Sequence, residues 1–415
     1  MQRRRILTST VVMFSILATL LAAGTSPQQA DARTAAAPNT QSASPPPEPG
    51  GKIVEPAKLP FSEQLARDNL RLPAGFWFDV WATGLGNPRN LVVAPNGTVY
   101  VTRREQGDVV MLKDSNNDAR ADQMRVVASG LQYINGIAWR ANQLYLATDQ
   151  KVLRAPIRGD GTLGPLRTLI ADLPDAGQHP NRTLEFGPDG KLYISVGSTC
   201  NACDDSDPES ATLLVANPDD SNRRIYAEGL RNTIGFDWHP GSKQLWGMDH
   251  GSDWRGNDQP PEELNLIQDQ GNYGWPWCYA NKQVDPYIPN QPKGTTKEAY
   301  CAQTLPSVLT YTAHSAPLDF LFYAKGQFPA QFQGDAFVTM RGSWNREPPS
   351  GYKVVRLRFQ NGWPVGYEDF MTGFLVDNGR AQFGRPVGLA VAPYGSLFVT
   401  DDTNGVIYRI SWAGQ

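Results

Sequence analysis

Hydrophobic and polar positions along the chain repeat one phrase: a short apolar run, a polar turn rich in Gly, Asn, Asp or Pro, then an alternating strand centred on an aromatic. The stretch His179–Gly197, HPNRTLEFGPDGKLYISVG, holds a clear copy. Its Pro-Asp-Gly turn supplies the positive φ that a tight hairpin demands. Other copies begin at Leu91 (LVVAPNGTVYVT), Gly136 (GIAWRANQLYLAT), Gly235 (GFDWHPGSKQLWGMD) and Gly388 (GLAVAPYGSLFVTDD), and a degenerate one runs from Leu318 to Met340. The second-strand aromatics are Tyr100, Tyr145, Tyr193, Trp246, Phe337 and Phe398, spaced 45, 48, 53, 91 and 61 residues apart. Strand-only self-similarity at this period predicts an all-β chain, a six-bladed β-propeller with four-stranded blades, and one interval carrying an insertion. A two-sheet sandwich would not need six copies. A short helix over Phe61–Arg71 is expected to lead into the first alternating strand, within LPAGFWFDVWATGL.

The periodic pattern does not reach the N-terminus. Residues 1–24 have a basic start, an apolar run from about Val11 and small residues at Ala22-Ala23, the pattern of a secretory signal. Arg3-Arg4-Arg5-Ile6-Leu7 also fits a twin-arginine signal loosely. Residues 25–55, rich in Pro, Ala and Ser, are expected to be a disordered linker. The propeller then occupies 56–415, and a secreted or periplasmic protein with no membrane span in its mature form is expected. Without residues 1–55 the chain keeps 33 basic and 38 acidic residues, a net charge of −5. Such a surface disfavours nucleic acid and anionic membranes as partners. The four cysteines suit export: two local disulfides, Cys200–Cys203 and Cys278–Cys301, are expected in preference to a zinc site, whose ligand spacing they do not follow.

In a propeller, equivalent positions of each blade lie on a ring around one channel. The positions that precede the apolar runs are polar: Arg89-Asn90, Gln132 with Asn135, His179 with Arg182, Arg231-Asn232, His314-Ser315, and Arg385. Arginines gathered at a channel mouth ask for an anionic ligand, because guanidinium forks bind carboxylates and phosphates in pairs of bonds and keep their charge. His179 is the candidate general base, and His239, in the turn before Pro240, is expected to be structural. The run from Met248, MDHGSDWRGNDQPPEELNLIQDQGNYGWPWCY, sets Asp249, Asp253, Asp258, Glu262 and Glu263 among Gly and Pro without helical or strand period. It is either a calcium loop of carboxylates and carbonyls or a solvated acidic loop. Asp114, Asn116, Asp118 and Asp122 mimic a second calcium loop, with Ala119 where the sharp bend asks for glycine.

From about Leu72 to Trp412 the chain resembles the soluble glucose/sorbosone dehydrogenases, six-bladed propellers that use pyrroloquinoline quinone (PQQ) with Ca2+. HPNRTLEFGPDGKLYISVG, GLRNTIGFDWHP, NDQPPEELNLI with GNYGWPWC, RGSWNREPPSGYKVVRL and GRPVGLAVAPYGSLFVTDD carry the resemblance. The GSWNR and CNAC segments are similar to the sorbosone/pyranose branch. The resemblance implies a secreted oxidoreductase acting on the anomeric hydroxyl of an aldose or pyranose, or on a sorbosone-like aldehyde, with electrons leaving to a cytochrome, quinone or dye. It implies His179 as base, Arg231 and Asn232 beside the reactive carbonyl of the cofactor, and Gly251 and Ser252 as carbonyl ligands of the site calcium. Arg182, Arg341, Arg346 and Arg385 are implied as cofactor-binding cations, with Lys353 as a further candidate. Departures from the pattern are Thr233 in place of proline after the Arg-Asn pair, Ser198 in place of an aspartate that orients the base, and Arg341 in place of a histidine. A calcium-dependent propeller lactonase and a cofactor-free binding propeller are the alternatives.

Overall fold

The computed structural model describes residues 52–175 and 177–414. The expected signal and most of the expected linker lie outside these described residues. The described chain is all-β, with six antiparallel sheets that follow one another in sequence and give a propeller-like fold. Their first two strands are Pro88–Val93 with Val99–Arg103, Gly136–Arg140 with Gln143–Ala147, Leu184–Phe186 with Leu192–Val196, Thr233–Trp238 with Leu245–Asp249, Pro317–Phe322 with Ala336–Met340, and Pro386–Val391 with Leu397–Asp401. Each pair is one copy of the repeated phrase. Two further strands complete each sheet, and the third sheet gains a fifth from Gly271–Asn272, paired parallel to Arg224–Glu228.

The aromatics that set the repeat are all buried in the second strands. Tyr145 meets Phe186, Tyr193 meets Trp238 and Trp81 meets Phe398 edge-on, with ring centroids 4.8–4.9 Å apart. Such pairs add about 0.5–1.5 kcal/mol each beyond area burial. Polar groups on the inner strands tie one sheet to the next. Thr102 donates to Asn135 O (2.8 Å), Asn135 Nδ2 to Arg182 O (3.3 Å), Ser198 N to Arg231 O (2.8 Å), and Phe322 N to Asp237 (2.8 Å). Leu389 N donates to Asp319 (2.7 Å), and Thr400 of the sixth sheet donates to Arg89 O of the first (2.7 Å). The outer strand of the sixth sheet is Phe76–Ala82, from before the first, running antiparallel to Val406–Trp412. Phe76 inserts between Phe328, Phe332, Phe370 and Trp412. Residues 76–82 and 406–412 are therefore stitched together by both backbone pairing and an aromatic cluster.

Three expectations need correction. The helix is shorter than expected, Glu63–Asn69, because Ser62 caps it by accepting from Leu65 N (3.1 Å). The insertion, expected from Met248 onward between the fourth and fifth blades, lies within the fourth sheet after its third strand, and Glu262 and Glu263 belong to that strand, Glu262–Ile267. Their carboxylates are buried because backbone N–H groups satisfy them: Gly251 N and Ala316 N for Glu262, Ala280 N for Glu263. Last, residues 54–55 pack on the sheets instead of behaving as linker. Val54 N donates to Trp344 O (2.8 Å), Glu55 pairs with Arg385 (3.0 Å), and Ala57–Lys58 runs parallel to Ala381–Gln382. Both expected disulfides are present, and among the described residues no cysteine is free. No described helix is long and apolar enough to cross a membrane.

Candidate active site

At one end of the sheets lies a cavity of ≈ 820 Å³. Its walls include Arg89, Gln132, His179, Arg231, Asn232, His314 and Arg385, from the first strands of all six sheets or the turns before them, and Arg341, which follows the second strand of the fifth. The expected convergence of His179, Arg231 and Arg385 is thus found. Gly251 is also in the wall, whereas Ser252 faces a separate cavity of ≈ 10 Å³ with Asp249, Glu263 and Asp285.

His179 sits on the turn entering the third sheet. Its Nδ1 is 2.8 Å from Ser198 O and 2.9 Å from Ser198 Oγ. A carbonyl only accepts, so Nδ1 carries the proton and Nε2 keeps its lone pair. Ser198 therefore orients the base through its backbone, although it lacks the carboxylate of the glucose dehydrogenase pattern. Desolvation pushes the imidazole well below its usual 6.5, and the cation of Arg231 adds to that push. Gly197 is required here: a Cβ on it would lie 2.6 Å from His179 Cβ and 2.7 Å from Asn232 Oδ1.

Asp249 fixes the next turn. Its carboxylate accepts from Arg231 N (2.9 Å), Asn232 N (2.8 Å) and the Thr233 hydroxyl (2.9 Å). The Thr233 departure is thereby explained, since its hydroxyl supplies a donor that proline could not. The Arg231 guanidinium donates to Asn201 O (2.8 Å), Asn201 Oδ1 (2.9 Å) and Asp253 (3.1 Å). It is a fixed cation beside the base. Asn232 Oδ1 is buried in the cavity wall without a hydrogen-bond partner.

Opposite lies a second cationic cluster. Asp402 Oδ2 accepts from Arg89 (2.6 Å) and from Arg341 Nε (2.9 Å). Burial raises the Asp402 carboxyl, but Arg341 and Arg89 outweigh burial and leave it below the carboxylate norm. Arg89 is also lowered, to about 10, because it is desolvated and faces Arg341 and Arg104; in a base that direction disfavours the charged form. One carboxylate serves several guanidinium groups: Asp402 is held in its charged form, Arg341 is raised because Asp402 outweighs its burial, and Arg89 is the cation that loses. Neither Nη of Arg341 has an acceptor among the described residues, and Arg104, also in the wall, has no acid partner there. Arg385 is more committed, donating to Glu55, Gly342 O and Arg341 O and lying over the Tyr352 ring.

Three of the expected cationic positions are corrected. Arg182 is fully buried behind His179 and donates to His179 O (2.7 Å) and Pro174 O (3.1 Å), so it holds the turn and does not reach the cavity. Arg346 is drawn away to Asp258 (3.3 Å) and Asn257 O (3.2 Å), and Lys353 pairs with Asp369 (2.8 Å) outside the cavity. His239 accepts from Gly241 N and Ser242 N as a turn histidine, as expected. Sequence reasoning missed Arg104, Asn201, Trp254, Trp344 and Asp402, and placed Asp253 in a candidate calcium loop, whereas it holds Arg231. Trp344 and Asp402 lie inside quoted motifs and Asn201 inside CNAC, so a signal existed; Arg104 follows an ordinary strand and carried none. Trp254 and Trp344 meet edge-on in the wall, ring centroids 4.7 Å apart.

The TrAA12-like family profile matches residues 70–413, nearly all of the described chain. The chain belongs to that family. Among curated relatives, the PQQ-dependent sugar dehydrogenase of Hypocrea jecorina is 23% identical over 401 residues, covering 80% of this chain and 87% of the relative. Two solved structures share the fold. The calcium structure of the Trichoderma reesei carbohydrate-active enzyme of family AA12 superposes with a TM-score of 0.72 at 23% identity, covering 83% of this chain and 97% of that one. The holo form of the pyranose dehydrogenase PQQ domain from Coprinopsis cinerea gives 0.69 at 22% identity, covering 82% and 97%.

Proposed function

We propose that this member of the TrAA12-like family is a secreted, PQQ- and calcium-dependent dehydrogenase that oxidises the anomeric hydroxyl of a pyranose, on a six-bladed propeller. The observation that carries the reading is the pairing, in one cavity, of a base held with Nε2 unprotonated, a fixed cation beside it, and an opposite cationic wall with unused donors. The donor set suits a planar polycarboxylate: Arg341, paired with Asp402 through Nε alone, presents both Nη groups, Arg104 presents a guanidinium without an acid partner among the described residues, and Arg385 stands beside them. Asn232 Oδ1, buried and unpartnered, asks for a polar ligand atom. For calcium, the backbone at Gly251 lines the cavity, and Glu262 clamps its N–H (2.9 Å), which holds that peptide in place. Gly251 and Ser252, which together line the small adjoining cavity while Gly251 also faces the main one, are the proposed carbonyl ligands, hard oxygens of the kind that calcium prefers.

When bound, PQQ supplies the hydride acceptor and calcium polarises it. In the chain's own part of the reaction, His179 Nε2 takes the proton from the anomeric hydroxyl. Arg231, held on three sides, stabilises negative charge without having to move. Arg182 keeps the His179 turn in place from behind. Trp254 and Trp344 offer apolar edges against which a sugar ring can pack.

Purified cofactor-free protein given PQQ and Ca²⁺ is expected to gain dye-linked oxidation of aldoses. A lactonase would need only the metal, and a binding propeller would show neither activity. Absence of any gain across a sugar panel would refute the reading. Arg385→Ala is expected to weaken PQQ binding by about tenfold, the loss of one charge-assisted contact, with little change in turnover at saturating PQQ. A PQQ titration identical to wild type would remove Arg385 from the cofactor site.

A further inference from the structure

The base and the fixed cation meet in a single short loop. Ser198 accepts from His179 Nδ1, and its hydroxyl donates to Cys200 O (2.7 Å). Ser198 N donates to Arg231 O (2.8 Å), so the same residue also grips the Arg231 turn. Three residues on, Asn201 takes two of the Arg231 donors, Nε on its carbonyl and Nη2 on its side chain. Asn201 is locked in turn by Asp253, whose N–H it accepts (2.7 Å) and whose carbonyl it donates to (3.1 Å). The Cys200–Cys203 bridge closes this loop around Asn201. Both of its cysteines are only half-buried, whereas Cys278 and Cys301 are buried at 3% and 1% exposure. One bridge is therefore open to a reductant and the other is shielded.

We propose that the Cys200–Cys203 loop is a clamp that sets His179 and Arg231 in one constellation, with Asn201 as a positioning residue, and that the half-buried bridge makes this constellation sensitive to dithiols. The proposal rests on the reading of His179 and Arg231 given above. Chemically, a dithiol attacks the bridge, the S–S bond breaks, each cysteine sulfur takes a proton, and the dithiol closes to its own disulfide. With the loop opened, Cys200 O and Asn201 no longer hold fixed positions. Ser198 and the Arg231 guanidinium then lose their supports, while Asp249 still anchors the Arg231 backbone. The fold itself stays intact, because the second bridge and the sheets are untouched.

The test begins on the cofactor-free protein labelled with ¹⁵N-histidine, treated with dithiothreitol under native conditions while free thiols are titrated. At two thiols per chain, His179 is expected to pass from the Nδ1–H tautomer to a mixture. In the PQQ-loaded protein at the same stage, kcat is expected to fall by about tenfold or more, with the sugar KM changed less than about twofold, and reoxidation should restore it. Two thiols with an unchanged tautomer and unchanged kcat would overturn the proposal. If the bridge resists reduction, Asn201→Ala decides the matter. It is expected to show the same kcat loss at constant KM, and Asn201→Asp, which keeps the Oδ1 acceptor, should recover most of it. Wild-type kcat in Asn201→Ala would sink the clamp. Should the wild type oxidise no sugar at all, the functional reading fails, and the tautomer still judges the clamp separately.

Discussion

His179→Ala is expected to lower turnover by about 10²–10⁴, the usual contribution of a positioned general base, while PQQ affinity stays within about twofold of wild type. The separation follows from the geometry. The His179 ring is held by Ser198, and the proposed carboxylate partners Arg341, Arg104 and Arg385 line other parts of the wall. Stopped-flow reduction of the bound cofactor by sugar, alongside a PQQ titration, would measure both quantities. The wild-type pH profile carries a second signature. A base works only when neutral, and a histidine is neutral above its pKa. Burial and Arg231 hold that pKa well below 6.5, so the acid limb of kcat/KM is expected to fall well below pH 6.5. A mutant with near wild-type turnover, or an acid limb at or above 6.5, would take His179 out of the proton transfer.

Asp402→Asn is expected to cost about 3–5 kcal/mol of stability, because it breaks a buried ion pair from one side. Asp402 is 2% exposed at its side chain and Arg89 4%, and Arg89 would keep only Asn135 as an acceptor. Asp369→Asn is the control: that carboxylate is 57% exposed beside Lys353, and surface pairs contribute about 0–1 kcal/mol. Equilibrium urea unfolding of the two variants would make the comparison, and equal losses would contradict the argument. The pH dependence has a definite sign. The Asp402 carboxyl is lowered by its arginines, so its contribution is present above the unfolded value near 3.8 and disappears as pH falls through the folded value. The wild type should lose this component in acid, and Asp402→Asn should lack it throughout.

Much of the architecture was legible in the chain. The repeated phrase marked six strand pairs in the right places, because alternation with a Gly/Asn/Asp turn is a local property that each segment expresses alone. The fourth sheet was misread for the same reason. EELNLI opens on two adjacent charges and closes on two adjacent apolar residues, so no strand period shows, and its two glutamates look solvated until Gly251, Ala316 and Ala280 donate to them. At the site, His179, Arg231 and Arg385 were legible as members of one ring. Arg182 and Arg346 could not be separated from them by sequence, since a guanidinium facing a cavity and one spent on backbone carbonyls are spelled alike. Residues 54–55 were missed because a Pro-rich tail reveals nothing of where it will dock.

By itself, the sequence determined the strand pattern, the number of repeats, the cysteine pairing and the family motifs, all of which depend on residues near one another or on composition. Only the tertiary structure decided which cations keep unused donors, which nitrogen of His179 holds its proton, and that one disulfide loop touches both His179 and Arg231. Those outcomes depend on partners drawn from different sheets. A side chain's charge is written in the chain, but what satisfies that charge is set by the groups that closure of the sheets brings within about 3 Å.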